Sequence, residues 1–383
     1  MREPLVNARP RCDTSETAGV VFLAMDAIVG LAAAGKTAVF RALTSGHGSS
    51  ASGSRGEHVG VVKLPDERLT KLASLAGARK VTQHEVTLHD LLAIVGPGAA
   101  PSPDAREAAA QSDALVQVVR AFQREDVPHP LGSVDPDRDV KAFESELALN
   151  DLSVIERRLE RIDIVLRSAR PAERDSHERE VELLTRCRSY VEEGTPLRSL
   201  LTDPGELKAL SGFGLLSLKP VLLLFNIDEN EVARAAAVEA EYRSRYQSPS
   251  TEVAVMSAKL EAELAELSPE EAAEFRSELV AGESPVGHIL HLLQDALGLV
   301  TFYTTVGDEC RAWTVPAGTP VVQAAGRIHT DMERGFIRAE VINCNRLLDL
   351  GSVAEAKRHG ELRTEGKQYP VQEGDVIHVL FHV

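Results

Sequence analysis

The sequence predicts an α/β chain: a parallel sheet covered by helices on both faces, interrupted by two long helices and followed by a small β-rich module. Three observations carry this reading. Continuous apolar runs at 220–225 and 252–256 lack the alternation of half-exposed strands and are separated by helical stretches, as buried parallel strands are. Leu152, Ile155, Leu159, Ile162 and Leu166 recur at steps of 3, 4, 3 and 4, the seam of a long helix. Pro171 breaks that run, and a second helical stretch carries Val181, Leu184, Tyr190 and Val191, so the pair reads as an antiparallel hairpin. Beyond Leu299, short alternating segments and turns dominate, ending in VIHVLFHV at 376–383.

Taken in order, residues 1–19 are expected to form a disordered extension rather than a signal peptide, with Met25 as a second candidate start. A strand at 20–29 feeds GLAAAGKT at 30–37, and a helix runs from Thr37 to about Leu43. The Gly/Ser-rich tract 45–58 has little to bury and reads as a mobile loop. Then come a strand at 59–64, an amphipathic helix within 65–76, and a strand at 81–92 with Asp90 near its end. A second loop at 96–105 precedes a strand within 113–122. The expected organisation is a nucleotide-binding domain in two parts, 20–141 and 200–298, a hairpin inserted at 142–199, and a C-terminal module at 299–383. Ser268-Pro269-Glu270-Glu271 has the pattern of a capping box opening a later helix.

Composition narrows the function. The net charge of −16 repels bulk nucleic acid, so no DNA partner is expected and any RNA contact needs a local basic patch. Arg327, His329, Arg334 and Arg338 form such a candidate, interleaved with Asp331 and Glu333. Cys12, Cys187, Cys310 and Cys344 are widely spaced, which argues against a disulfide framework or a zinc site and suits a reducing cytoplasm. No apolar run reaches the roughly 18 residues of a membrane span.

The chemistry is concentrated in 30–37, which matches G-x-x-x-x-G-K-T. Glycines let backbone N–H groups curl around phosphates, and the following helix presents its positive end to them. Gly30, Ala33, Ala34, Gly35, Lys36, Thr37 and Ala38 are therefore the expected phosphate cradle. Lys36 reaches the terminal phosphates and serves catalysis, while the Thr37 hydroxyl and the strand-end Asp90 are the expected Mg2+ ligands. Asn226, Ile227 and Glu229 follow one apolar run, and Ser257 and Ala258 follow the next. Both lie where a parallel sheet presents base-reading loops.

These motifs, in this order, resemble the YchF/Obg-like ATPase family, a branch of the translation-factor P-loop proteins. The resemblance runs from about Met25 to Val383 and is densest at 311–342 (RAWTVPAGTPVVQAAGRIHTDMERGFIRAEVI) and 365–383 (EGKQYPVQEGDVIHVLFHV). VDPDRD at 134–139, ELALNDL at 146–152, LSLKP at 216–220 and SAKLEAELAEL at 257–267 agree with it. It implies a P-loop NTPase domain with an inserted helical hairpin and a C-terminal α+β β-grasp module of the TGS type. It also implies bound ATP or GTP with Mg2+, a ribosome or RNA partner, and N-x-x-E in place of N-K-x-D, a change associated with ATP preference. Phe122 matches a family aromatic near the base, and His129 a family histidine with a catalytic role. Read without that resemblance, Phe122 is core packing and His129 an exposed loop residue between prolines.

The departures fall on hydrolysis. Ala32, Ala33 and Ala34 stand where the family has Pro-Asn-Val. The Gly/Ser tract 45–56 offers no switch threonine, and Asp90-Leu91-Leu92-Ala93 replaces D-x-x-G; Ile94 lies near the place of the usual glutamine, where the family already carries an apolar residue. Two functions are therefore carried forward: a slow triphosphatase, and a non-hydrolysing nucleotide sensor or interaction protein.

Overall fold

The computed structural model describes residues 24–44, 50–52, 58–91, 103–167, 170–279 and 284–382. The expected extension at 1–19, most of the Gly/Ser tract, and Leu92, Ala93 and Ile94 lie outside these residues. The chain separates into two compact units, one of 25–62 and 87–296, the other containing 63–86 and 297–383.

The first unit is built on a seven-stranded sheet. In chain order its elements are β1 (Ala24–Val29), α1 (Lys36–Thr44), β2 (Ser50–Ser52) and β3 (His58–Lys63). Outside this unit's core follow α2 (Glu67–Ala76) and β4 (Lys80–Thr82). The chain returns with β5 (Glu85–Asp90), α3 (Pro103–Gln111), β6 (Ala114–Ala121), α4 (Pro136–Leu166), α5 (Pro171–Glu192), β7 (Val221–Ile227) and β8 (Thr251–Met256). The strand order is β2-β3-β5-β1-β6-β7-β8. β1 pairs with β6, β6 with β7 and β7 with β8, all parallel, while β2 and β3 form an antiparallel pair. Every residue of β7 is buried, which is why its sequence runs apolar without alternation. Val221, Leu223, Phe225 and Ile227 face a core that α3, the start of α4 and the helix Ala235–Tyr246 complete, with Phe225 stacked on Tyr242 at 3.7 Å.

Two expectations shift here. Ser50–Ser52, within the tract expected to be a loop, pairs as an edge strand. The first hairpin helix begins at Pro136, with Asp135 accepting from Arg138 N at 3.0 Å, rather than near 142. Its first turns belong to the sheet's core through Val140, Phe143 and Leu147, and only later do Ile155 and Ile162 meet Leu184, Cys187 and Val191 of α5. Asp151 sits between these two regions, fully buried, and accepts from Leu216 N and Ser217 N at 2.8 Å each. The capping box at Ser268 and Glu271 is present.

The second unit holds a six-stranded sheet. It adds β9 (Leu299–Val306), β10 (Glu309–Pro316), β11 (Phe336–Asn343), β12 (Arg363–Glu365) and β13 (Asp375–Phe381) to β4, in the order β12-β11-β13-β9-β10-β4. The expected module at 299–383 is therefore incomplete as a core, because α2 and β4 belong to it. Leu69, Leu72 and Ala73 of α2 pack with Tyr303, Cys310, Ile342 and Cys344. Asp66 caps α2, accepting from Arg68 N at 2.8 Å, and its second oxygen takes the hydroxyl of the fully buried Tyr303. The strand expected at 81–92 is really two: β4 pairs with β10 in one sheet, and β5 joins the other. Trp313 packs against this unit's core with its Nε1 donating to Thr304 Oγ1 at 2.9 Å. Arg327, His329, Arg334 and Arg338 are all exposed.

Two predictions follow from buried polar groups. Asp151→Ala strands two buried N–H donors and removes their charged acceptor, so urea titration should show a loss of about 3 kcal/mol. Burial in the second unit lowers the His84 pKa from 6.5 to about 4, so the unfolded chain takes up a proton that the folded chain refuses. Its stabilising contribution is complete above pH 6.5 and is lost as pH falls toward 4, a difference of about 3 kcal/mol. Unfolding of His84→Leu across that range should show a flatter pH dependence than the parent.

Candidate nucleotide-binding site

The site lies at the carboxyl ends of the parallel strands, where such sheets bind ligands. The loop after β1 turns on three residues of positive φ: Gly30 at 140°, Ala33 at 60° and Gly35 at 95°. A Cβ on Gly30 would stand 2.4 Å from Val118 O, and one on Gly35 2.3 Å from Asn226 Nδ2, so packing as well as conformation requires both glycines. Ala33 holds the left-handed region with a Cβ, which carries a cost of about 1 kcal/mol.

Lys36 reaches back over the loop and donates to Gly30 O at 3.2 Å and Leu31 O at 3.0 Å. Thr37 Oγ1 donates to Asp90 Oδ2 at 2.8 Å, joining the start of α1 to the end of β5. Burial lowers the Lys36 pKa, with Asp90 opposing; burial raises that of Asp90, with the Thr37 hydrogen bond and Lys36 opposing. Each charge thus offsets part of the desolvation of the other. Across the loop, Asn226 donates from Nδ2 to Ala34 O at 3.1 Å and accepts at Oδ1 from Ala258 N at 3.0 Å. Glu229 pairs with Lys259 at 2.5 Å. Ile227 and Ala258 are buried, and the buried hydroxyl of Ser257 has no partner among the described residues.

The family model for the YchF-GTPase C-terminal region, described as a protein of unknown function, matches residues 299–382. The ribosome-binding ATPase YchF of Bacillus subtilis is 36% identical over 364 residues, covering 93% of this chain and 98% of the relative. The chain belongs to the YchF family. The protein of the same name from Escherichia coli O157:H7 is 32% identical with the same coverage. The structure of the Schizosaccharomyces pombe YchF GTPase superposes with a TM-score of 0.79 at 27% identity, covering 96% of this chain and all of that one.

The remaining family positions are distributed around the loop that follows β6. Phe122 opens it, and its Cε1 would stand 3.9 Å from a Cβ on Gly35. His129 is not an exposed loop residue: its side chain is 4% exposed, and its Nε2 lies 2.8 Å from Asp139 Oδ2. Leu131 N donates to Nδ1 at 3.1 Å, so both ring nitrogens are engaged. Sequence reasoning passed over Asp139 and Arg138, whose guanidinium binds the other oxygen of Asp139 at 2.8 Å. A carboxylate in the first turn of a helix, ten residues after the histidine, was the available signal.

At Ala33, replacement by asparagine, which tolerates the left-handed region better, should raise stability by up to about 1 kcal/mol. Thermal unfolding of Ala33→Asn against the parent measures this directly.

Proposed function

We propose that this chain is a Mg2+-dependent P-loop nucleoside triphosphatase, preferring ATP to GTP, whose nucleotide state governs binding to the ribosome. The observation that carries the proposal is the Thr37–Asp90 pair at 2.8 Å beside an intact Gly-Lys-Thr turn. A hydroxyl and a carboxylate oxygen suit Mg2+, which keeps waters and takes phosphate oxygens for its remaining positions. When bound, the ion would neutralise charge on the terminal phosphates and polarise the γ-phosphoryl group. Lys36, once it exchanges its two carbonyl partners for phosphate oxygens, would stabilise charge developing on the leaving group. The amides of Gly35 to Ala38 would cradle the phosphates at the start of α1.

On the base side, Asn226, Ile227, Glu229, Ser257, Ala258 and Phe122 would form the seat. The Ser257 hydroxyl has a hydrogen bond to give, while Glu229 is already paired with Lys259. Curated relatives named ribosome-binding ATPases support ATP as a nucleotide and the ribosome as partner, while the preference for ATP over GTP rests on Asn226 and Glu229 in the N-x-x-E pattern. The exposed Arg327, His329, Arg334 and Arg338 are the candidate RNA contacts, and the cytoplasm is the compartment that such a partner implies. No helix among the described residues is long and apolar enough to cross a membrane.

A non-hydrolysing nucleotide sensor is the second reading. It is favoured by His129, whose two ring nitrogens leave no lone pair for a water's proton unless Leu131 N–H lets go. Equilibrium titration with Mg-ATP and Mg-GTP, followed by phosphate release on the same samples, separates the two. Triphosphatase action should give tighter binding of ATP and slow release, both abolished in Lys36→Ala. Binding with release no faster than the variant's would leave the sensor, and no binding of either nucleotide would overturn both.

A further inference from the structure

Arg120, the penultimate residue of β6, is 2% exposed, and among the described residues no carboxylate is hydrogen-bonded to it. A guanidinium is always charged and only donates, so burying one requires acceptors arranged around it. Backbone carbonyls supply them here. Nε donates to Phe122 O at 3.2 Å, and Nη2 donates to Arg124 O at 3.3 Å and Val127 O at 2.9 Å. All three carbonyls belong to the loop that follows β6. The same guanidinium lies over the Phe122 ring, Cζ 4.6 Å from its centroid, within range of a cation–π contact. Among the described residues Nη1 has no partner, and Arg120 lines a small cavity with Leu31 and Ala34 of the phosphate loop, Gln117, whose Oε1 likewise has none among them, and Asp139, which holds His129.

We propose that Arg120 is a positioning residue for the nucleotide base: by gathering three carbonyls of one loop around a single cation, it holds Phe122 beside Gly35. The inference rests on the nucleotide-binding reading above and assigns within it a residue that touches no nucleotide. The loop has no regular secondary structure of its own between Phe122 and the cap of α4. Within its first six residues Val127 N donates to Arg124 O and Arg124 pairs with Asp126, and Arg120 ties three of their carbonyls to β6. Lysine replaces it only in part, since its three N–H donors spread from one nitrogen and lack the planar fork that reaches Phe122 O and Val127 O together.

The test compares two ligands on the full chain: Mg-ATP, and magnesium tripolyphosphate, which has the phosphates but no base. The parent should bind both, with ATP the tighter. Arg120→Met should weaken Mg-ATP about tenfold, the share that base–aromatic stacking contributes, and leave tripolyphosphate unchanged. Arg120→Lys, the milder variant should the first fail to fold, should show the same selective loss to a smaller extent. In an Arg120→Met/Phe122→Ala double variant, ATP affinity should be no lower than in Phe122→Ala alone. Equal losses for both ligands would make Arg120 merely a support of the sheet and overturn the proposal, as would no loss for either. A parent that binds tripolyphosphate as tightly as ATP would overturn the proposal while leaving the phosphate site standing. A parent that binds neither ligand would remove the nucleotide-binding reading itself.

Discussion

A single carboxamide holds the site together. Asn226, 4% exposed, donates to the carbonyl of Ala34 in the phosphate loop and accepts from the amide of Ala258 beyond β8. The parallel register pairs Asn226 with Met256, so Ser257 and Ala258 emerge beside it. This bridge exists only because residue 35 is glycine, since a Cβ there would collide with Nδ2. Phosphate loop, β7 end and β8 end are therefore joined through one N–H and the oxygen of a single side-chain amide. If the proposed site holds, such an arrangement would fix where phosphates and base lie before either arrives.

The metal side has a different construction. Asp90 ends β5, and β5 is reached from β3 through α2 and β4, which are parts of the second unit. The chain thus leaves the nucleotide sheet at Lys63, contributes Leu69, Leu72 and Ala73 to the second unit's core, and returns to place the carboxylate that meets Thr37. Asp66 and Arg68 fasten this excursion at its start: Asp66 caps α2 and takes the Tyr303 hydroxyl, and Arg68 pairs with Glu373 at 2.6 Å. The strand beside the Gly/Ser tract and the strand carrying the candidate metal ligand are joined through residues whose packing belongs to the second unit.

What could be read in the sequence was what local spacing determines. The glycine–lysine–threonine turn, the helical seam, the proline between the hairpin helices and the capping box each depend on residues a few positions apart, and each is where it was expected. Misreadings arose where long-range pairing decides. Residues 81–92 look like one strand because nothing local marks that Thr82 pairs with Arg311 in one sheet while Glu85 onward joins another. Ser50–Ser52 forms a strand without any apolar signal, because an edge strand needs only a partner's backbone. His129 looked exposed between two prolines, and Asp139 buries it. Gln117 and Arg120 lie inside an otherwise apolar strand, a local conflict at the residues that line the small cavity beside Leu31 and Ala34.

The central claim is that residues 30–38 seat a triphosphate. Amide hydrogen exchange of the full chain with and without Mg-ATP, using adenosine as a control, tests it most directly. Exchange should slow at the amides of Gly35 to Ala38 and at Ala258 with Mg-ATP, and should not slow at Gly35 to Ala38 with adenosine, which has no phosphate to reach them. Unchanged exchange across 30–38 in saturating Mg-ATP would contradict it.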